Sequence, residues 1–202
     1  MNQSLRGVIT FNYDTSLEQL YQGRFYYPLL EDQNAEGRLP LFKLHGSLNW
    51  RTDSRSGNIV ALGPEQVAEM DHGDGWYCQP EVVGPTFFKQ EITFDIQQDF
   101  RTRHYRRLWS NTWDLLRHAR QLIFVGFSFP QTDFHAQALF RTAHLSDTGF
   151  QRVILCHRCD PNLVKTARSV FDGLSTPELT EFQDGLGDMV VRLDEVVALI
   201  SN

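Results

Sequence analysis

Cysteine is scarce in this chain, with three in 202 residues, at Cys78, Cys156 and Cys159. An odd and small number excludes a disulfide framework, and without a secretion signal it points to a reducing cytoplasm. A structural zinc site takes four ligands, usually from two cysteine pairs. Only Cys156-His157-Arg158-Cys159 supplies a pair, so no structural zinc is expected. Long apolar runs are also missing. None approaches the roughly 18–20 residues of a membrane span, and Met1-Asn2-Gln3-Ser4-Leu5-Arg6 lacks the apolar core of a signal peptide. There is no excess of basic residues: the net charge of −6 argues against an overall nucleic-acid footprint. Finally, no Gly-x-Gly-x-x-Gly run occurs, and neither internal repeats nor a long linker are found.

What remains is ordinary for a globular protein, with 41% hydrophobic and 22% charged residues. The length suffices for one domain with a real core, and residues 1–202 read as a single domain. A strand is expected over Gly7–Asn12. A short helix follows over Ser16–Leu20, capped by Asp14 or Thr15. A second strand covers Leu41–Leu44. Residues 51–100 read as an irregular insertion, with turns at Asp53-Ser54 and His72–Gly75 and short β pieces at Asn58–Leu62, Glu81–Val83 and Glu91–Phe94. Tyr105, Leu108, Trp109, Thr112, Leu115, Leu116 and Ala119 fall at helical spacing. Leu122–Phe127 is a continuous apolar run, as in a parallel strand buried on both faces. Asp133 heads a helix through Ala143, and Val153–Cys156 is another buried strand. Asp160-Pro161 opens a helix with proline at its first position, running to about Phe171. A last strand is expected at Leu179–Phe182 and a last helix at Val190–Ile200. Strand–helix alternation predicts a layered α/β fold.

Three motifs sit where strands should end: Thr10-Phe11-Asn12-Tyr13-Asp14, Lys43-Leu44-His45-Gly46-Ser47 and Val125-Gly126-Phe127-Ser128-Phe129. In an open parallel sheet, ligands bind at those ends. The strands at 7–12, 41–45, 122–127 and 152–156 are therefore expected in one largely parallel sheet. Asn12 offers an acceptor and two donors for ribose hydroxyls or water, and Asp14 can accept from a carboxamide. The plainer reading is a strand-to-helix turn, where Asn and Asp are favoured anyway. His45, at an exposed strand end beside a glycine, suits a general base near neutral pH; the plainer reading is a packed or surface histidine. Gly126 lets a ligand approach the backbone, Ser128 can donate to a phosphate or ribose oxygen, and the Asp133 helix presents amides nearby. Alternatively, Gly126 only ends a strand. Cys156 and Cys159 read as half a zinc site, a redox pair, or a strand end that carries two thiols. Arg101, Arg103, Arg106, Arg107, Arg117 and Arg120 cluster around one helix, either to attract phosphate or as a solvated face.

Taken together, in order and strand context, the motifs resemble the SIR2-like branch of the sirtuin superfamily over about residues 7–160. Thr10–Asp14 resembles the family's Thr-Gln-Asn-x-Asp, His45-Gly46 its catalytic His-Gly, and Gly126–Ser128 its Gly-Thr-Ser nucleotide motif. Val82–Lys89, reading Val-Val-Gly-Pro-Thr-Phe-Phe-Lys, is similar to a Pro-Thr-Phe-x-Lys stretch of SIR2-like proteins. The resemblance implies a Rossmann-like, doubly wound α/β fold with a mostly parallel sheet. It implies catalytic roles for Asn12 and His45. Thr10, Asp14, Gly46, Gly126, Ser128 and Asp133 would hold NAD, which is the substrate, with no zinc. The implied activity is hydrolysis of the nicotinamide–ribose bond, in antiviral defence, by a domain joined to a fused or partner sensor region. The alternatives are a catalytically inactive nucleotide-binding or interaction module, and an NAD-dependent protein deacylase. The deacylase reading suffers because residues 47–125 hold one cysteine where classical sirtuins place two zinc-binding pairs. The family also opens with a strand and a Gly-rich loop, so the first β-α unit is expected to be missing here. That absence predicts weak NAD cleavage by the isolated chain. It also predicts an exposed strand edge that pairs with another copy.

Overall fold

The computed structural model describes residues 5–30, 35–53, 55–63, 66, 79–84, 99–146, 149–158, 160–173, 176–184 and 187. Contacts divide the chain into two compact units, Leu5–Thr112 and the part from Trp113 onward. Both are mixed α/β with parallel strands at their centres.

The first unit contains β1 (Val8–Thr10), α1 (Ser16–Leu20), β2 (Phe25–Tyr26), β3 (Leu39–Lys43), β4 (Gly46–Ser47), β5 (Trp50–Thr52), β6 (Ile59–Ala61) and β7 (Glu81–Val82). Strand β3 is the middle of a parallel sheet in the order β1-β3-β2. Its register sets Val8 opposite Leu41 and Thr10 opposite Lys43. The apolar residues of this central strand, Leu41 and Phe42, are buried with Leu44, as expected of a strand flanked on both edges. Two antiparallel pairs complete the unit, β4 with β7 and β5 with β6. Trp50 on β5 is 1% exposed and meets the ring of Tyr27 edge-on at 5.3 Å. Helix α2 (Asp99–Arg117) begins in this unit, with Tyr105 and Leu108 buried.

The second unit contains β8 (Gln121–Val125), α3 (Phe134–Ser146), β9 (Arg152–Cys156), α4 (Leu163–Val170) and β10 (Glu178–Phe182). The strands form a parallel sheet in the order β10-β9-β8. Central β9 is buried from Val153 to Cys156. The helices bury one face each: Ala136, Leu139, Phe140 and Ala143 on α3, and Leu163, Ala167 and Val170 on α4, the spacing of an amphipathic helix. Phe171 is 1% exposed and contacts the rings of Phe124, Phe129, His144 and Phe150.

The strands expected from apolar runs are found within two residues among the described residues, whereas the helices differ more: α2 starts at Asp99 rather than near Tyr105, α3 runs on to Ser146, and α4 starts only at Leu163. The parallel strands fall into two hydrogen-bonded sheets, not one, among the described residues. Among the described residues β8 pairs only with β9, and it is buried on one face rather than both, with Ile123 37% and Val125 52% exposed. It also ends at Val125, because Gly126 turns to a φ of 67°. Pro161 lies in a turn before α4, where the Asp160 carboxylate accepts from the Asn162 N–H at 3.0 Å. Strands β2, β4 and β5 were not expected. The β piece at 91–94 and the helix at 190–200 lie outside the described residues, as do Cys78 and Cys159. Among the described residues, no helix is long and apolar enough to cross a membrane.

Candidate functional site

The first two motifs are laced together within the first unit. Thr10 and Lys43 are paired across β1 and β3, so the segments leaving both strands run side by side. The Leu44 N–H donates to the Thr10 carbonyl at 3.1 Å, and the Leu48 N–H to the Tyr13 carbonyl at 2.9 Å. The Ser47 hydroxyl adds a second bond to the Tyr13 carbonyl at 3.3 Å. The Lys43 ammonium donates to the Asp14 carbonyl. Residues 10–14 are therefore held by residues 43–48 at three carbonyls, those of Thr10, Tyr13 and Asp14.

Lys43 is wholly buried, and its charge needs a partner there. Glu18 of α1 provides it at 2.9 Å. The same Glu18 oxygen accepts from the Tyr27 hydroxyl at 2.6 Å. Burial first, and then the Glu18 carboxylate, push the Tyr27 phenol well above its ordinary pKa, so it stays protonated and donates.

Asn12 is exposed, and its backbone N–H donates to the Thr10 hydroxyl at 3.1 Å. Its side chain thus stands on a loop whose backbone is already fixed. Asp14 accepts from the Ser16 N–H at 2.9 Å. Hydrogen bonds from Ser16, hydroxyl first and N–H next, hold its carboxyl below the ordinary value. That is the turn chemistry of a strand-to-helix junction, and Asp14 fills it.

His45 is 3% exposed, so the expected open strand end is corrected to a buried position. Phe11 meets its ring edge-on at 5.2 Å, and Tyr13 lies tilted at 6.1 Å. Its carbonyl accepts from the Val83 N–H at 2.8 Å, and the Tyr13 hydroxyl donates to the Val83 carbonyl at 3.1 Å. The described start of the Val82–Lys89 stretch therefore borders the same loops; residues 85–89 lie outside the described part. Gly46 has a φ of 83°, and a Cβ there would collide with the Glu81 carbonyl and lie 2.5 Å from the Tyr105 hydroxyl. Only glycine combines that left-handed backbone with so close an approach.

The third motif belongs to the second unit. Gly126 is exposed, its N–H bonded to the Cys156 carbonyl, with open space where a Cβ would be. Ser128 is exposed. Phe129 carries a φ of 51°, a left-handed conformation that costs a bulky residue energy and often marks a functional turn. Gln137 secures it by donating to the carbonyls of Phe129 and Pro130 at 2.9 and 3.0 Å. Asp133 is 1% exposed and accepts from the Ala136 N–H at 3.3 Å, the geometry of a cap for α3. Thr10, Asn12, Asp14, His45 and Gly46 thus share one unit, and Gly126, Ser128 and Asp133 the other.

Sequence reasoning missed the lacing role of Lys43 and the partners Glu18 and Tyr27. The signal was present: a lysine ends the apolar run Leu39–Phe42, and a charge in a central strand requires a buried partner.

Gly46→Ala is expected to cost about 3 kcal/mol or more, from backbone strain plus the collision with β7. Gly126→Ala meets only the backbone penalty, about 1–2 kcal/mol. Urea unfolding of both variants checks the order; equal losses would contradict the packing described at Gly46.

No curated protein matches the chain. A family model described as SIR2-like domain matches residues 6–172, across both units and all three motifs. The chain belongs to the SIR2-like domain family.

Proposed function

We propose that the chain is an NAD hydrolase domain. The observation that carries this reading is the lacing of the Asn12 loop to the His45 loop, within a chain of the SIR2-like family. The match runs through both units, which supports treating them as one domain of Rossmann-like, doubly wound type. In the proposed reaction the bond between the nicotinamide nitrogen and the ribose anomeric carbon breaks. Its electron pair leaves with nicotinamide, and water adds to the oxocarbenium-like carbon, giving ADP-ribose. Asn12, exposed on a fixed loop, orients that water or the ribose. His45 takes the proton from the water or a ribose hydroxyl. Gly126 and Ser128 contact the nucleotide.

The second reading is a nucleotide-binding or interaction module without catalysis. The observation that favours it is the burial of His45 among aromatic rings, as expected of a packed histidine. Nicotinamide release from NAD, followed by chromatography, separates the two. As a hydrolase, the chain should lose on the order of 100-fold or more in rate on Asn12→Ala, at unchanged Tm because Asn12 is exposed. The module reading predicts no release by the wild-type protein, or release that Asn12→Ala does not change. His45→Ala is a poorer discriminator than its expected exposure implied, since truncating a buried ring also lowers stability.

For partners, we propose that β8 pairs with another copy of this chain. The edge is apolar, with Ile123 and Val125 exposed, and carries no lysine to discourage pairing. Sedimentation should show concentration-dependent association of the wild-type protein and a monomer for Val125→Lys. A wild-type monomer at all concentrations would sink this.

A further inference from the structure

A recess in the first unit, about 180 Å³ in volume, is lined by Leu29, by Gly57, Asn58 and Ile59 of the β5–β6 hairpin, and by Arg103, His104 and Arg107 of α2. Its volume corresponds to about six waters. Arg103 and Arg107 stand one helical turn apart, so both can reach the same space. No carboxylate occurs among its described lining residues. Asp53, in the same hairpin, spends its carboxylate on the Arg55 and Ser56 N–H groups and the Ser56 hydroxyl. His104 is packed edge-on against Trp50 at 5.7 Å, and its Nε2 is buried without a hydrogen-bond partner among the described residues. Arg103, Arg107 and the His104 side chain thus line one partly enclosed space.

We propose that this recess binds the phosphate group of a small ligand, with Arg107 and Arg103 as its charged donors and His104 as a neutral one. Guanidinium forks match phosphate oxygens in pairs. The leucine and isoleucine walls reduce screening and strengthen each bond. Burial, and then the charge of Arg107, push the His104 pKa down to about 4, so near neutral pH its ring can donate one N–H without adding a third charge. A bound anion would oppose the field of Arg107 and bring that pKa back up. This inference stands apart from the NAD reading. The alternative for the arginines, a solvated helix face, predicts no selective site.

The test is titration of the full chain with inorganic pyrophosphate at constant ionic strength, by calorimetry and by the His104 ring signal in NMR. Saturable binding is expected, with a higher His104 pKa in the complex. Arg107→Gln should weaken it about tenfold, the worth of one charge-assisted bond. Arg106→Gln, on the same helix but outside the recess, should leave it unchanged. An unmoved His104 signal, or equal loss in both variants, would overturn the proposal. NAD then identifies the source: if it shifts the His104 signal, the phosphate is the dinucleotide's own, and if it does not, a separate phosphate ligand is meant. Both results presuppose the pyrophosphate site and support it.

Discussion

The first unit depends on one buried ammonium. Lys43 lies on the central strand with no exposed surface, and desolvating its charge costs several kcal/mol. The cost is offset because the ammonium has two strong acceptors, the Glu18 carboxylate and the Asp14 carbonyl. One acceptor is on the helix that follows the Asn12 loop, and the other is in the loop itself. The charge therefore cannot be satisfied unless the loop and α1 are in place. Removing one member of such a pair typically costs about 3–5 kcal/mol; the partial exposure of Glu18 argues for the lower end. The lysine contributes specificity as much as stability, since it ties the chain after β1 to the end of β3.

A second constraint works at Gly46. The backbone turns left-handed there so that β4 can lie against β7 with no room for a side chain. This packing fixes His45 from its other side, through the bond from Val83. The third motif uses a different device. Phe129 is held in a left-handed conformation by ring packing and by Gln137, leaving Gly126 and Ser128 exposed on the turn. In each unit, a strained or charged backbone position underlies an exposed polar residue.

Much of this was legible in the chain. Continuous apolar runs located β3, β8 and β9, and the 3.6-residue spacing located α2. The motifs were legible because their residues serve the backbone as well as chemistry. The same fact gives some residues two readings. Asp14 and Asp133 were read as nucleotide contacts, and each also accepts a local hydrogen bond at a helix start. Their side chains look alike in sequence whichever partner they take. The burial of His45 was not legible, because it depends on Phe11 and Tyr13 folding over it from the loop that leaves β1. Nor was the exposed face of β8, since an apolar run says how much a strand can bury and not whether a neighbour covers it. Lys43 was overlooked because it stood inside a motif read for its histidine.

The central claim is that buried Lys43 holds the Asn12 and His45 loops together. Amide hydrogen exchange at Leu44 and Leu48, the donors to Thr10 and Tyr13, tests it most directly. Comparing the wild-type protein with Lys43→Met, the account predicts strong protection of both amides in the first and its joint loss in the second. Protection at both positions that survives loss of the lysine would contradict it.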